Sequence, residues 1–168
     1  MLLRPVRSEE LDVVEAQHEG VVDAPRSDPG ARERFRRRLA HSGHLFEGRL
    51  DLGIEVDGEL VGAVDARRPE AALPPGVYEL GITLFAPSRR GLGYGTEAIG
   101  LLTSHLFSAG GAERVQGSTD VANAAMRRVF ERLGFAEEGV MRGFMPAPGG
   151  RADYVLYGVT RAEWLERG

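Results

Sequence analysis

The chemistry that stands out in this chain sits in one run, Arg90-Gly91-Leu92-Gly93-Tyr94-Gly95-Thr96. Its alternating glycines let the backbone approach a ligand closely and turn several N–H groups inward. A helix opening at Thr96 adds unpaired N–H donors and the positive end of its dipole, where a phosphate is favoured. Arg89 and Arg90 supply charge, and the Thr96 hydroxyl supplies one more donor. The run is therefore read as a pyrophosphate-binding loop. A P-loop needs Gly-Lys-Ser/Thr after four spacer residues, and no lysine follows here. A dinucleotide fingerprint matches Gly93-Tyr94-Gly95-Thr96-Glu97-Ala98 as G-x-G-x-x-A, with Glu113 about twenty residues on. Its glycines should follow their strand at once, whereas the strand here ends near Phe85. Its acidic residue should end a strand, whereas Glu113 precedes one. A glycine-rich turn without a ligand is the bland alternative.

The elements around the loop explain how it could be positioned. Val77 to Phe85 reads as a strand with Tyr78, Leu80, Ile82 and Leu84 on one face and Val77, Glu79, Gly81, Thr83 and Phe85 on the other. A glutamate beside a glycine and a threonine marks that second face as the lining of a cleft. Thr96 to Ala109 is predicted as a helix with Ala98, Ile99, Leu102 and Leu106 inward, stopped by Gly110-Gly111. Val115 to Asp120 is a strand. Asn123 to Leu133 is a helix with Met126, Val129, Phe130 and Leu133 at helical spacing. Upstream, Leu2 to Arg7 is a short strand and Ser8 the N-cap of a helix. Ala31 to Ala40 is a second helix. Leu52 to Val56 and Leu60 to Val64 form a hairpin about Asp57-Gly58. Arg67 to Gly76 is a loop. Two last strands, near Gly139 to Phe144 and Asp153 to Val159, flank a Pro- and Gly-rich loop. One α+β domain over residues 1–168 follows: a central mixed, twisted sheet of about seven strands flanked by helices.

Composition narrows the function classes. The chain has 168 residues, 27% charged and 42% hydrophobic, with a net charge of −4. That gives no electrostatic reason to expect nucleic acid or a membrane as partner. No apolar run approaches a membrane span, and the N-terminus does not read as a signal peptide. There is no cysteine, which removes disulfides, thiolate metal sites and cysteine nucleophiles and fits a reducing, cytoplasmic compartment. His41 and His44 have no third ligand nearby in sequence, so no metal site is expected. The run Arg32, Arg34, Arg36, Arg37, Arg38 reads first as a solvated helix face, with the holding of an acidic acceptor or a cofactor phosphate as the alternative. Tyr154 and Tyr157 alternate faces on the last strand, one for the core and one for the cleft.

With these residues in view, the chain resembles the GNAT superfamily of acyl-CoA N-acyltransferases. Arg90-Gly91-Leu92-Gly93-Tyr94-Gly95 matches its signature Gln/Arg-x-x-Gly-x-Gly/Ala. Asn123 with Leu133-Gly134-Phe135 is similar to its Asn…Leu-Gly-Phe segment. The wording of both regions resembles the RimJ/RimL branch, which includes ribosomal-protein N-terminal acetyltransferases. The resemblance implies a sheet splayed open at its centre, where acetyl-CoA meets an acceptor amine, and a homodimer as a family-level expectation. Thr83, Leu84 and Phe85 would pair with the pantetheine arm. Arg90, Gly91, Leu92, Gly93, Tyr94, Gly95 and Thr96 would hold the pyrophosphate. Asn123, read otherwise as a helix cap, would contact the pantetheine region, and Met126 and Phe130, read first as core residues, would offer it an edge. Glu79 takes the place of a general base, with a structural ion-pair or hydrogen-bond partner as the alternative. Many members have a tyrosine where Phe130 stands, as acid for the leaving thiolate, and many in this branch have a serine where Met126 stands. The expected reaction is direct attack of a primary amine, a peptide N-terminus or small-molecule amine, on acetyl-CoA in a ternary complex. The rival reading is a non-catalytic acyl-CoA-binding sensor.

Overall fold

The computed structural model describes residues 1–18, 30–68 and 73–167. Its strands are β1 (Leu2–Arg4), β2 (Arg49–Val56), β3 (Glu59–Arg67), β4 (Val77–Leu84), β5 (Arg114–Asp120), β6 (Ala136–Ala147) and β7 (Gly150–Thr160). Its helices are α1 (Leu11–His18), α2 (Ala31–Ala40), α3 (Tyr94–Ser108), α4 (Ala124–Arg132) and α5 (Arg161–Leu165). All seven strands join one sheet in the order β1-β2-β3-β4-β5-β7-β6. The pairing is antiparallel except between β4 and β5. This is the expected mixed sheet. Among the described residues no helix is long and apolar enough to cross a membrane.

Local chemistry sets the boundaries. Asp57 and Gly58 both take positive φ, 52° and 82°, as a two-residue hairpin turn requires. β1 stops at Arg4 rather than Arg7 because Pro5 has no N–H to continue a ladder. Ser8 is not an N-cap; it opens a short 3₁₀ turn capped by Arg7, whose N–H donates to Glu10 Oε2 at 2.9 Å. β3 runs on to Arg67, held between β2 and β4, where the sequence alone suggested a loop to begin. The middle of that predicted loop, residues 69–72, lies outside the described residues. The last two strands form one long hairpin. Its outer strand, β6, lies at the sheet edge and breaks register between Glu137 and Gly139 and again between Met141 and Met145. α5 opens with a reciprocal capping box between Thr160 and Glu163.

Two apolar layers sandwich the sheet. On one face Ile99, Leu102 and Leu106 of α3 and Phe130 of α4 pack on Val64, Tyr78, Leu80, Val115, Val155 and Tyr157. On the other face, Val14 of α1 and Leu39 of α2 cover the β1 end with Val6. The arginines of α2 do not form a merely solvated face. Arg32 and Arg36 pair with Glu15 on α1, Arg36 also with Asp12, Arg37 with Glu47, and Arg38 with Asp51 of β2. These pairs staple α2 to its neighbours.

Candidate active site

The site begins where the sheet comes apart. β4 and β5 pair only from Val77 to Glu79 against Arg114 to Gln116. Beyond Glu79 the parallel strands have no further partners in each other. Phe85 N–H donates to the Val61 carbonyl at 3.0 Å. Bonded pairs alternate in an antiparallel ladder, so in this register Gly81 and Thr83 also turn their backbone groups toward β3. The backbone groups of Ile82 and Leu84 turn the other way, into the opening. A ligand strand would therefore meet Ile82 and Leu84 rather than Thr83 or Phe85, both of which lie half-buried beside it.

The glycine run crosses the end of this opening. Pro87–Arg89 make one 3₁₀ turn, and Gly91 and Gly93 follow with φ of 75° and 89°. Gly93 is the N-cap of the 15-residue helix α3, two residues earlier than sequence reading placed its start. A Cβ at Gly91 or Gly93 would meet nothing within 4 Å. The glycines are thus required by backbone conformation and leave open space above the first-turn N–H groups of α3. Those donors, with the dipole behind them, suit a pyrophosphate. The two arginines separate in role. Arg89 is committed to Glu59, whereas exposed Arg90, beside Gly91, has no ionic partner among the described residues. Leu92 is exposed, and Tyr94, Gly95 and Thr96 are half-buried.

On the far side of the opening, Asn123 caps α4, its Oδ1 accepting from Met126 N–H at 3.1 Å. Its amide NH₂ is left for other use, and Met126 is half-buried against the core. Phe130 takes the core place that its helical spacing predicts. It is 1% exposed, stacked on Tyr157 at 5.1 Å between centroids and tilted against Phe135. A Cβ on Gly117 of β5 would lie 2.5 Å from its Cζ. The ring belongs to the core beneath the opening, not to its wall. Tyr157, fully buried, is the core member of the tyrosine pair. Register puts Tyr154 on the same face as Gln116 and Glu79.

That face carries a ladder of charge of which sequence reading had singled out only the two ends, Glu79 and Arg38. Glu79 is about one-third exposed, and Arg67 Nη2 donates to its Oε1 at 2.6 Å. Arg67 Nε lies 3.9 Å from Asp65 Oδ2, Arg49 Nη2 lies 3.0 Å from Asp65 Oδ1, and Arg49 Nε lies 3.5 Å from Asp51 Oδ1. Arg38 of α2 closes the chain on Asp51 Oδ2 at 2.9 Å. Burial pushes the Asp51 carboxyl above the usual carboxylate range, against the opposing pull of Arg38 and Arg49. The alternation of Asp65 and Arg67 with buried Val64 and Ala66 was the available signal for these residues.

The comparisons agree with this architecture. A model of the acetyltransferase (GNAT) domain matches residues 1–136. The SPbeta prophage-derived N-acetyltransferase YokL of Bacillus subtilis is 23% identical over 170 residues, covering 98% of this chain and 92% of YokL. A spermidine N-acetyltransferase SpeG chimera of Vibrio cholerae and hSSAT superimposes with a TM-score of 0.80 at 17% identity, over 99% of this chain and all of that one (100%). The ribosomal α-N-protein acetyltransferase RimL, solved with coenzyme A, gives a TM-score of 0.73 at 19% identity, over 94% of this chain and 92% of its own. At such identities the structural likeness establishes a shared fold. The split sheet, the left-handed glycines capping α3 and the domain match together make this chain a member of the GNAT acetyltransferase family, an enzyme of acyl transfer from a coenzyme A thioester to nitrogen.

Proposed function

We propose that the enzyme transfers acetyl from acetyl-CoA to a primary amine of lowered basicity, an α-amine above all, by direct attack in a ternary complex. The observation that carries this reading is Glu79 at the last β4–β5 pair, with Oε1 bound and Oε2 without a donor among the described residues. In that position Oε2 takes the amine's proton, directly or through water. The α3 N-terminus with Arg90 holds the pyrophosphate, and the N–H of Ile82 or Leu84 polarises the thioester carbonyl. With Phe130 in the tyrosine position and no hydroxyl on its ring, the leaving thiolate takes its proton from solvent.

The electrostatics of the open face favour an α-amine over a polyamine. Three carboxylates on the Glu79 face are committed: Glu79 to Arg67, Asp65 to Arg49 and Asp51 to Arg38. A polycation would meet the Arg67 cation beside the base. An amine of pKa about 10.4 is neutral only about 1 part in 2,500 at pH 7, a cost of roughly 4.6 kcal/mol. An α-amine of pKa near 8 costs roughly 1.4 kcal/mol, within reach of one half-buried carboxylate and no protein acid. The test is competition between a peptide with a free N-terminus and the same peptide blocked there but carrying an internal lysine, with spermidine as a third acceptor. Coenzyme A release with the free N-terminus supports the reading. Acetylation of the blocked peptide or of spermidine alone refutes it.

A further inference from the structure

Cross-strand register exposes a tension in the open face. Arg49 stands directly opposite Arg67, and Asp51 directly opposite Asp65. Like charges facing each other across a sheet destabilise it. A ladder serving stability alone would set opposite charges face to face. Here only the last rung does so, Arg67 opposite Glu79. The two like-charged rungs are reconciled along the diagonal from Arg49 to Asp65 and along the strand from Arg67 to Asp65. Asp65 in turn depends on Gly81, its β4 partner. A Cβ at Gly81 would lie 2.6 Å from Asp65 Oδ1, so any side chain there displaces the carboxylate. Local cost without local benefit is the signature of a functional arrangement.

We propose that Arg67 is a positioning residue for Glu79, braced by Asp65 over Gly81. A glutamate side chain loses on the order of 1.5–2 kcal/mol of rotamer entropy when fixed, and an unbraced carboxylate samples many orientations. Arg67 holds Oε1 by a charge-assisted bond, which fixes Oε2 as the oxygen offered to the acceptor. The groups near Arg67 on this face include Asp65 of its own strand, Arg49 of β2 and Glu79 of β4. This inference rests on the reading of Glu79 as the base.

The experiment is steady-state kinetics on Arg67→Gln, Arg67→Lys, Glu79→Gln and the Arg67→Gln/Glu79→Gln double variant, with folding checked by thermal melts. Arg67→Gln is expected to lower kcat by about 10- to 100-fold, the scale of a misplaced catalytic group, with KM for acetyl-CoA unchanged. Arg67→Lys, which keeps the cation, is expected to recover most of kcat and stands in should Arg67→Gln fail to fold. In the Glu79→Gln background, Arg67→Gln is expected to add no further loss. Wild-type kcat in Arg67→Gln, or an equal loss in both backgrounds, overturns the positioning role while Glu79 stands as base. Wild-type turnover in Glu79→Gln overturns the base reading and this inference with it.

Discussion

Gly95 separates what the fold needs from what a cofactor needs. It is the second residue of α3, and its φ is not left-handed. A Cβ there would sit 3.9 Å from Ile82 Cδ1 and 3.9 Å from Val129 Cγ2, ordinary contact distance. For the ligand-free protein, Gly95→Ala is therefore favourable. Alanine in a helix gains up to about 1 kcal/mol over glycine, which for a domain of this size raises Tm by roughly 2–4 °C. The same methyl narrows the passage between β4 and the start of α3, where the donor arm is proposed to run. Losing one hydrogen bond to a charged group costs about 1.5–3 kcal/mol, or about 10- to 150-fold in Kd. The assay is thermal shift with acetyl-CoA at 100 times the wild-type Kd, where binding stabilises by about 2.7 kcal/mol. A variant weakened 100-fold retains only about 0.4 kcal/mol of that. Gly95→Ala should thus melt higher than wild type alone and lower than wild type with acetyl-CoA. Equal stabilisation of both proteins by acetyl-CoA refutes the assignment of this helix start to the donor. Stabilisation by NAD as large as by acetyl-CoA restores the dinucleotide reading.

Other outcomes follow from the same geometry. Glu79→Gln is expected to lower turnover by roughly 10²–10⁴-fold with KM for acetyl-CoA unchanged, checked by steady-state kinetics. Phe130→Ala, which empties a site between Phe135, Tyr157 and Gly117, is expected to cost about 3–5 kcal/mol in denaturant unfolding. A loss below about 1 kcal/mol would contradict its place in the core. Arg4 holds the Glu10 carboxyl below the ordinary glutamate range. Its folded pKa is depressed, so its stabilisation is full above the unfolded value and is lost as pH falls through the folded one. Wild type should accordingly lose more Tm than Glu10→Gln between pH 6 and pH 3. An identical loss in both would count against the Arg4–Glu10 pair.

The parts of this fold that were legible in sequence are those written in local chemistry. Left-handed turns demand glycine, so Asp57-Gly58 was readable as a hairpin before any contact was known. Period-two alternation in β4 put Tyr78 and Leu80 on one face and Glu79 on the other, and the structure buries the first two and leaves Glu79 half-buried. What could not be read depends on partners distant in the chain. Arg32 and Arg36 looked solvated because Asp12 and Glu15 lie on another helix. Arg67 looked like the start of a loop because a proline follows nearby, and only pairing with β2 and β4 extends the strand to it. α5 was missed because a five-residue helix carries too little periodicity. Phe130 illustrates a different limit. Its helical spacing read it as core and the family resemblance gave it an edge toward the donor; only packing against Gly117 and Tyr157 shows how fully it is sealed inside.

The outer hairpin strand has a consequence for how this protein behaves at high concentration. β6 is a sheet edge 12 residues long and bears exposed Val140 and Phe144. Such an edge is a template on which another chain can add a strand. Its two register breaks, between Glu137 and Gly139 and between Met141 and Met145, interrupt the row of outward donors and bend the strand. Pro146 removes one more N–H near its end. The irregularity of β6 thus works as protection against edge-to-edge aggregation. Straightening it by deleting one bulge residue would turn a tolerated edge into an adhesive one.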